Sequence, residues 1–248
     1  MSSSLHQALG AERGIVCAIG AGGKKTTLFA LPEHSQVRTG LTASVFTPPF
    51  PDTLNASIHL AELAVLRQQV PTDPASRVAY AVPTDKPRRI GPLHGGDITA
   101  MHRDGAFELT LVKADGARMR RIKAPGVQEP KVITGSTVLA ISSVLALGRP
   151  LDERIAHRPE RISEVTGHPL GEPVTPALVA ALYLRPGGLS ANTGDGPLVP
   201  VLNMVDDAPL QRAAREIAAA LLDGGSRYDR VVLLSNRRRG HLVEVISR

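Results

Sequence analysis

The sequence predicts an α/β fold built on a mainly parallel sheet covered by helices on both faces. Three observations predict it. Short segments that are apolar throughout, such as Gly14–Ile19 (GIVCAI), read as strands buried on two sides rather than one. Segments with the apolar spacing of a helix recur between them. The first apolar strand also runs straight into a glycine-rich turn that opens a helix, AIGAGGKKTT.

Taken in order, Gly14–Ile19 is the first strand and a helix is expected from about Lys24 to Leu31. Val37–Leu41 reads as a second strand, followed by a proline-rich loop. Ala56–Gln69 (ASIHLAELAVLRQQ) has helical apolar spacing. Strands are expected at Val78–Val82, Phe107–Ala114 and Val138–Ser142. Pro150–Glu164 reads as a polar, arginine-rich helical region interrupted at Pro159. Thr175 and Pro176 form an N-cap and first-turn pair for a helix running to about Leu184. Val201–Met204 is a strand with Pro200 just before it. Leu210, Ala214, Ile217, Leu221 and Leu222 mark one face of a helix ending at Gly224-Gly225. Arg230–Leu234 and His241–Ile246 finish as strands, with Arg237–Arg239 as a charged turn between them. No repeat or clean linker divides the chain, so residues 1–248 are expected to form one domain, with a helical elaboration at 148–194.

Composition narrows the function classes. The 248 residues are 42% hydrophobic and 21% charged, which excludes a disordered or fibrous chain. With one cysteine, Cys17, neither an intramolecular disulfide nor a cysteine-based zinc site is available, and a reducing, cytoplasmic setting is expected. The opening residues lack the apolar core of a secretion signal. The longest mostly apolar run, Thr137–Leu147, falls short of the roughly 20 residues that cross a bilayer, so no membrane partner is expected. A formal charge of +6 favours anionic partners. Aromatic residues make up only 3%, too few for a base-stacking platform, so nucleic acid is not the expected partner.

The turn at residues 18–27 carries the first chemistry. Backbone that approaches phosphate oxygens needs glycine, and a helix start adds oriented N–H donors. Gly20, Ala21, Gly22, Gly23, Lys24, Lys25, Thr26 and Thr27 are therefore the candidate phosphate-binding residues, with Lys24 reaching the terminal phosphates. Ala18 stands where the usual pattern has its first glycine, and Lys25 where it has a serine or threonine. Either Thr26 is then the metal ligand from this turn, or metal binding is weak and Lys25 replaces some of the metal's charge. The whole reads as a P-loop NTPase-like domain binding ATP or GTP with Mg2+.

A second segment, LTLVKADGARMRRIKAPGVQEP, ends a strand at Asp115-Gly116. An acid at the end of a neighbouring strand can orient magnesium or the attacking group, which makes Asp115 both the catalytic and the metal candidate. Arg118, Lys123 and the cations between them could hold a second anion. Asn203-Met204-Val205-Asp206 has the spacing of a guanine-reading element, so Asn203 and Asp206 are candidates for the nucleobase.

The pairing of GAGGKKTT with VKADGA, Lys123-Ala124-Pro125 and Glu129-Pro130 resembles the YqeC family, supported by Thr42-Ala43-Ser44, the His157-Arg158 pair and LNMVDD. The resemblance spans about Ile15 to Asp206. It implies a nucleotide-binding accessory protein that assists maturation of a selenium-dependent molybdenum hydroxylase, partnered by that hydroxylase or its cofactor-insertion machinery. It adds Glu129, His157 and Arg158 to the second-anion set. Where the family carries glutamate, this chain has Lys113, and Lys25 replaces a threonine. Both substitutions exchange a magnesium-supporting group for a cation. They leave two readings open, an NTPase or nucleotide-dependent transferase, and a non-hydrolysing nucleotide-dependent chaperone or binding module.

Overall fold

A computed structural model describes residues 4–35, 37–225, 227–235, 237 and 240–248. Among them a nine-stranded sheet runs through the molecule. Its strands are β1 (Gly14–Gly20), β2 (Thr39–Ala43), β3 (Ser57–Leu60), β4 (Arg77–Ala81), β5 (Leu109–Lys113), β7 (Thr137–Ser143), β9 (Leu198–Asn203), β10 (Arg230–Ser235) and β11 (His241–Ser247). The order is β11-β10-β9-β7-β1-β5-β2-β4-β3, and every pairing is parallel except β10 with β11. A separate two-stranded parallel ribbon joins β6 (Ile122–Lys123) to β8 (Ala156–His157). The expected α/β architecture with a P-loop NTPase-like, mainly parallel sheet is therefore the one observed.

Strand β1 shows why the apolar runs become strands. Cys17 and Ile19 face one core and Val16 and Ala18 the other, so the period of two splits a single run between the two faces of the sheet. One face is covered by α3 (Leu63–Thr72), α4 (Gly95–Asp104), α5 (Pro159–Thr166), α6 (Pro176–Leu184) and α7 (Ala208–Gly224). The other carries α1 (Leu5–Leu9) and α2 (Lys24–Ala30). Capping defines the helix starts. Thr175 Oγ1 accepts from Leu178 N at 3.1 Å, and Asp207 Oδ1 accepts from Leu210 N at 2.9 Å. The Tyr183 hydroxyl donates to Ala140 O at 3.0 Å and pins α6 to the middle of the sheet.

Three local expectations change. Residues expected as a helix from Ala56 begin instead as the edge strand β3, and the helix starts only at Leu63. Ser57-Ile58-His59-Leu60 can lie along β4, and that pairing overrides the helical spacing of its apolar residues. Within Pro150–Glu164 the chain makes β8 first, and the helix begins at Pro159. A proline cannot continue a preceding helix, but its fixed φ suits a first turn. Pro200 lies inside β9 rather than before it; β10 joins that strand only from Val201, so the missing N–H interrupts no bond on that side. Helix α1 was not expected, although Ser4 and Gln7 form a capping box visible in the sequence. Of the expected turn at Arg237–Arg239, Arg238 and Arg239 lie outside the described residues. The segment 148–194 carries β8, α5 and α6. No helix among the described residues is long and apolar enough to cross a membrane.

The strand order places a switch point at β1. From β1 the chain builds β2, β3, β4 and β5 on one side, then crosses to build β7, β9, β10 and β11 on the other. Loops leaving the carboxyl ends of β1 and β7 consequently diverge, the arrangement that leaves room for ligands in open α/β sheets.

Candidate functional site

The glycine turn sits at this switch point. Gly20, Gly22 and Gly23 take φ of 83°, 84° and 125°, values that disfavour other residues. Space is as restrictive as conformation. A Cβ on Gly20 would lie 2.2 Å from Ile141 O, and one on Gly22 would lie 2.4 Å from Ser143 Cβ and 2.7 Å from Arg121 O. The turn is thus wedged against the end of β7 and the Arg121 backbone, which is itself held by Ser143 N donating to Arg121 O at 3.0 Å.

The amides of the turn divide into two groups. Gly20 N donates to Asp115 Oδ2 at 3.1 Å and Ala21 N donates to Ile141 O at 2.8 Å, so these two are consumed within the protein. Of the candidate phosphate-binding residues Gly20 to Thr27, the first two therefore have no free amide to offer. The next five amides, Gly22 to Thr26, have no acceptor among the described residues. Thr27 N returns to Gly23 O at 3.0 Å and begins the regular helix. The buried Thr27 hydroxyl has no hydrogen-bond partner among the described residues, and Thr26 beside it is half-buried.

Lys24 is buried at 6% exposure and donates to Gly20 O, folding back over its own turn. Burial pushes its ammonium down to about 7; Asp115 pulls the other way, while Lys113 and Lys123 add to the fall. Lys113, at the end of β5, is pushed down to about 8, chiefly by burial, then by Lys25, Arg89 and Lys123 against the opposing pull of Asp115. Lys25 is lowered by burial and by Arg89. Among the described residues Lys25, Lys113 and Arg89 form no ion pair. Beside Lys25 and Lys113 an apolar cleft is lined by Leu28, Phe29, Leu41 and Phe50.

On the Asp115 side the charges are closed upon one another. Lys123, with no exposed surface, donates to Asp115 Oδ1, to Gly116 O at 2.7 Å and to Glu129 Oε2 at 2.7 Å. Glu129 also receives the Arg158 guanidinium at 2.7 Å and 3.1 Å. Burial alone would raise the Glu129 carboxyl, but the hydrogen bonds from Arg158 and Lys123 outweigh it and hold the group far below the usual range. His157 is lowered to about 4 by burial and by the cations Lys123 and Arg158, so it is neutral near pH 7. Lys123, Glu129, His157 and Arg158, assigned from sequence to a second anion, are thus gathered in one place, three of them bound to each other. Arg118 stands on a turn where it and Met119 both take positive φ, of 44° and 60°.

Magnesium fits this arrangement poorly. Both Asp115 oxygens are engaged, one by an amide and one by an ammonium, and the hydroxyl position after Lys24 is a lysine.

Asn203 is fully buried at the end of β9. Its Nδ2 donates to Gly22 O at 2.8 Å, and its Oδ1 accepts from Met204 N at 2.8 Å. It therefore braces the glycine turn, and reading a base would require breaking both bonds. Asp206 Oδ1 accepts from Ser235 Oγ at 2.6 Å. Sequence reasoning did not foresee the brace, nor Lys123 as the partner of Asp115. The first had no local signal, whereas the second was hinted at by a lysine flanked by Ile122 and Ala124 at the end of a basic run, eight positions after an acid. Cys17 is buried and its thiol is raised by burial, as expected of an inert core cysteine.

Residues 16–160 match the family model described as YqeC protein, more than half of the chain and enough to include the glycine turn, Asp115, Lys123, Glu129 and Arg158. The chain belongs to the YqeC family. A protein of Escherichia coli strain K12, named as uncharacterized protein YqeC, is 26% identical over 199 residues, which cover 78% of this chain and 77% of that relative. The family model ends before Asn203 and Asp206, so it covers the turn and the paired-charge network but not the brace from β9.

Proposed function

We propose that this YqeC-family chain binds a purine nucleoside triphosphate by its phosphates at the turn after β1. In this reading it acts in maturation of a selenium-dependent molybdenum hydroxylase, with that hydroxylase or its cofactor-insertion machinery as partner. The observation that carries phosphate binding is the run of unoccupied amides from Gly22 to Thr26 beside the buried Lys24, at the carboxyl edge of the central strand. Oriented N–H groups and an ammonium shielded from water match the charge and geometry of phosphate oxygens. On binding, Lys24 exchanges Gly20 O for a phosphate oxygen and keeps its proton, because the incoming charge offsets the burial that weakens it.

Of the two chemical readings, the closed state of Asp115 favours the binding module over the hydrolase. A carboxylate held by Lys123 and Gly20 N is a poor base and a poor orienter of water. The second-anion role of Arg118, Lys123, Glu129, His157 and Arg158 belongs to a partner or substrate that would open this network. Thermal shifts with ATP and with GTP test the phosphate reading. Wild type should be stabilised by at least one of them and Lys24→Ala by neither; no shift of the wild type defeats it. Comparing the two nucleotides also tests the base-reading role of Asn203 and Asp206, and steady phosphate release would restore the hydrolase.

A further inference from the structure

We propose that resident lysines replace the divalent cation, so that this chain binds the polyphosphate of its nucleotide without metal. The inference rests on the phosphate-binding reading above and deepens it.

Two sets of observations meet here. First, the acid that would face a metal is spent. Asp115 gives one oxygen to Gly20 N and the other to Lys123, and all three protons of the Lys123 ammonium have acceptors in Asp115, Gly116 and Glu129. Arg158 completes a group of two anions and two cations whose charges cancel. For a divalent ion to reach Asp115, Lys123 would have to leave a fully buried position and abandon Glu129 and Gly116 as well. Removing one partner from such a buried network is far costlier than leaving it whole.

Second, the positive charge that a metal normally brings is already present. Lys25 occupies the position directly after Lys24, where the common loop carries a metal-binding hydroxyl. Lys113 ends the strand beside β1, at the register of Ala18. Neither has an anionic partner in hydrogen-bond reach among the described residues, and both line the same cleft beside the turn, so like charges repel there. Adding a divalent ion to Lys24, Lys25, Lys113 and Arg89 would increase this repulsion, whereas adding a polyphosphate relieves it. A flexible ammonium is also a sufficient phosphate ligand as a point charge.

The test is isothermal titration of the full chain with ATP and with inorganic tripolyphosphate, each in excess EDTA and again in excess magnesium. Dissociation constants in EDTA equal to or below those in magnesium, within about threefold, are expected. Binding that needs magnesium, or tightens more than about tenfold with it, overturns the inference while leaving the phosphate reading intact. Binding under neither condition overturns both. A Lys25→Thr, Lys113→Glu double variant should lose at least about tenfold in EDTA and recover affinity with magnesium. The single Lys25→Thr variant, which changes only a half-exposed side chain, should show the EDTA loss by itself, and unchanged EDTA affinity in this folded variant counts against the proposal.

Discussion

The two flanks of the glycine turn are built on opposite electrostatic plans. Toward the β6–β8 ribbon, Asp115, Lys123, Glu129 and Arg158 pair completely, and the side chain with the least access to water, Lys123, has the most partners. Toward β2, Lys25, Lys113 and Arg89 form no ion pair among the described residues, and the buried Lys24 donates to one carbonyl, that of Gly20. A closed network contributes shape: it fixes where the chain between β5 and β7 crosses the end of β1. Uncompensated cations raise the free energy of the empty protein and lower it when an anion arrives. The difference separates a flank closed on itself from one with charge to spare for the proposed anion.

That contrast makes the flanks respond oppositely to mutation. The largest effect is expected for Lys123→Met, which leaves Asp115 and Glu129 without their shared cation. Unfolding by urea should show a loss of about 3–5 kcal/mol, and a near-neutral result would mean the network is not closed in solution. Between the flanks, Gly22→Ala forces a Cβ into Ser143 and Arg121 at a positive φ. It should cost about 1–3 kcal/mol and abolish the nucleotide-induced thermal shift.

Lys24→Met should act in the other direction. The unfolded lysine titrates at 10.5 and the folded one near 7, so between these values the unfolded chain holds a proton that the folded chain has lost. The charge penalty is therefore full below pH 7, shrinks as pH rises and vanishes above 10.5. Asp115 and Glu129 oppose it, and Lys113 and Lys123 reinforce it. The variant should be more stable than wild type by about 1–2 kcal/mol below pH 7, with the gap closing as pH rises. Melting curves at several pH values, showing a constant gap or none, would count against this placement of Lys24. The smallest effect belongs to Arg158→Ala. Its guanidinium is partly exposed and Glu129 keeps Lys123, so denaturation should reveal a loss of about 1 kcal/mol.

Much of the site was readable because its determinants are local. A glycine turn between an apolar strand and a helix specifies its own conformation, so Gly20, Gly22, Gly23 and Lys24 stand where the pattern put them. Which amides remain free was not readable, because Gly20 and Ala21 are claimed by residues 95 and 120 positions away, Asp115 and Ile141. The same limit explains the misread edge. Ala56–Gln69 satisfies a helical spacing, and only the neighbouring β4 draws its first residues into a strand.

By itself, then, the sequence determined the alternation of strand and helix, the apolar runs that divide between two cores, and the turn that presents N–H groups at the end of β1. These follow from side-chain size, backbone freedom and periodicity, which act over a few residues. Tertiary structure alone decided that Lys123 neutralises Asp115, that Asn203 supports Gly22 and that Lys25 and Lys113 have no ion-pair partner among the described residues. The reason is that charge pairing and hydrogen bonding depend on distance in space, and here the strand order brings together groups the chain keeps far apart.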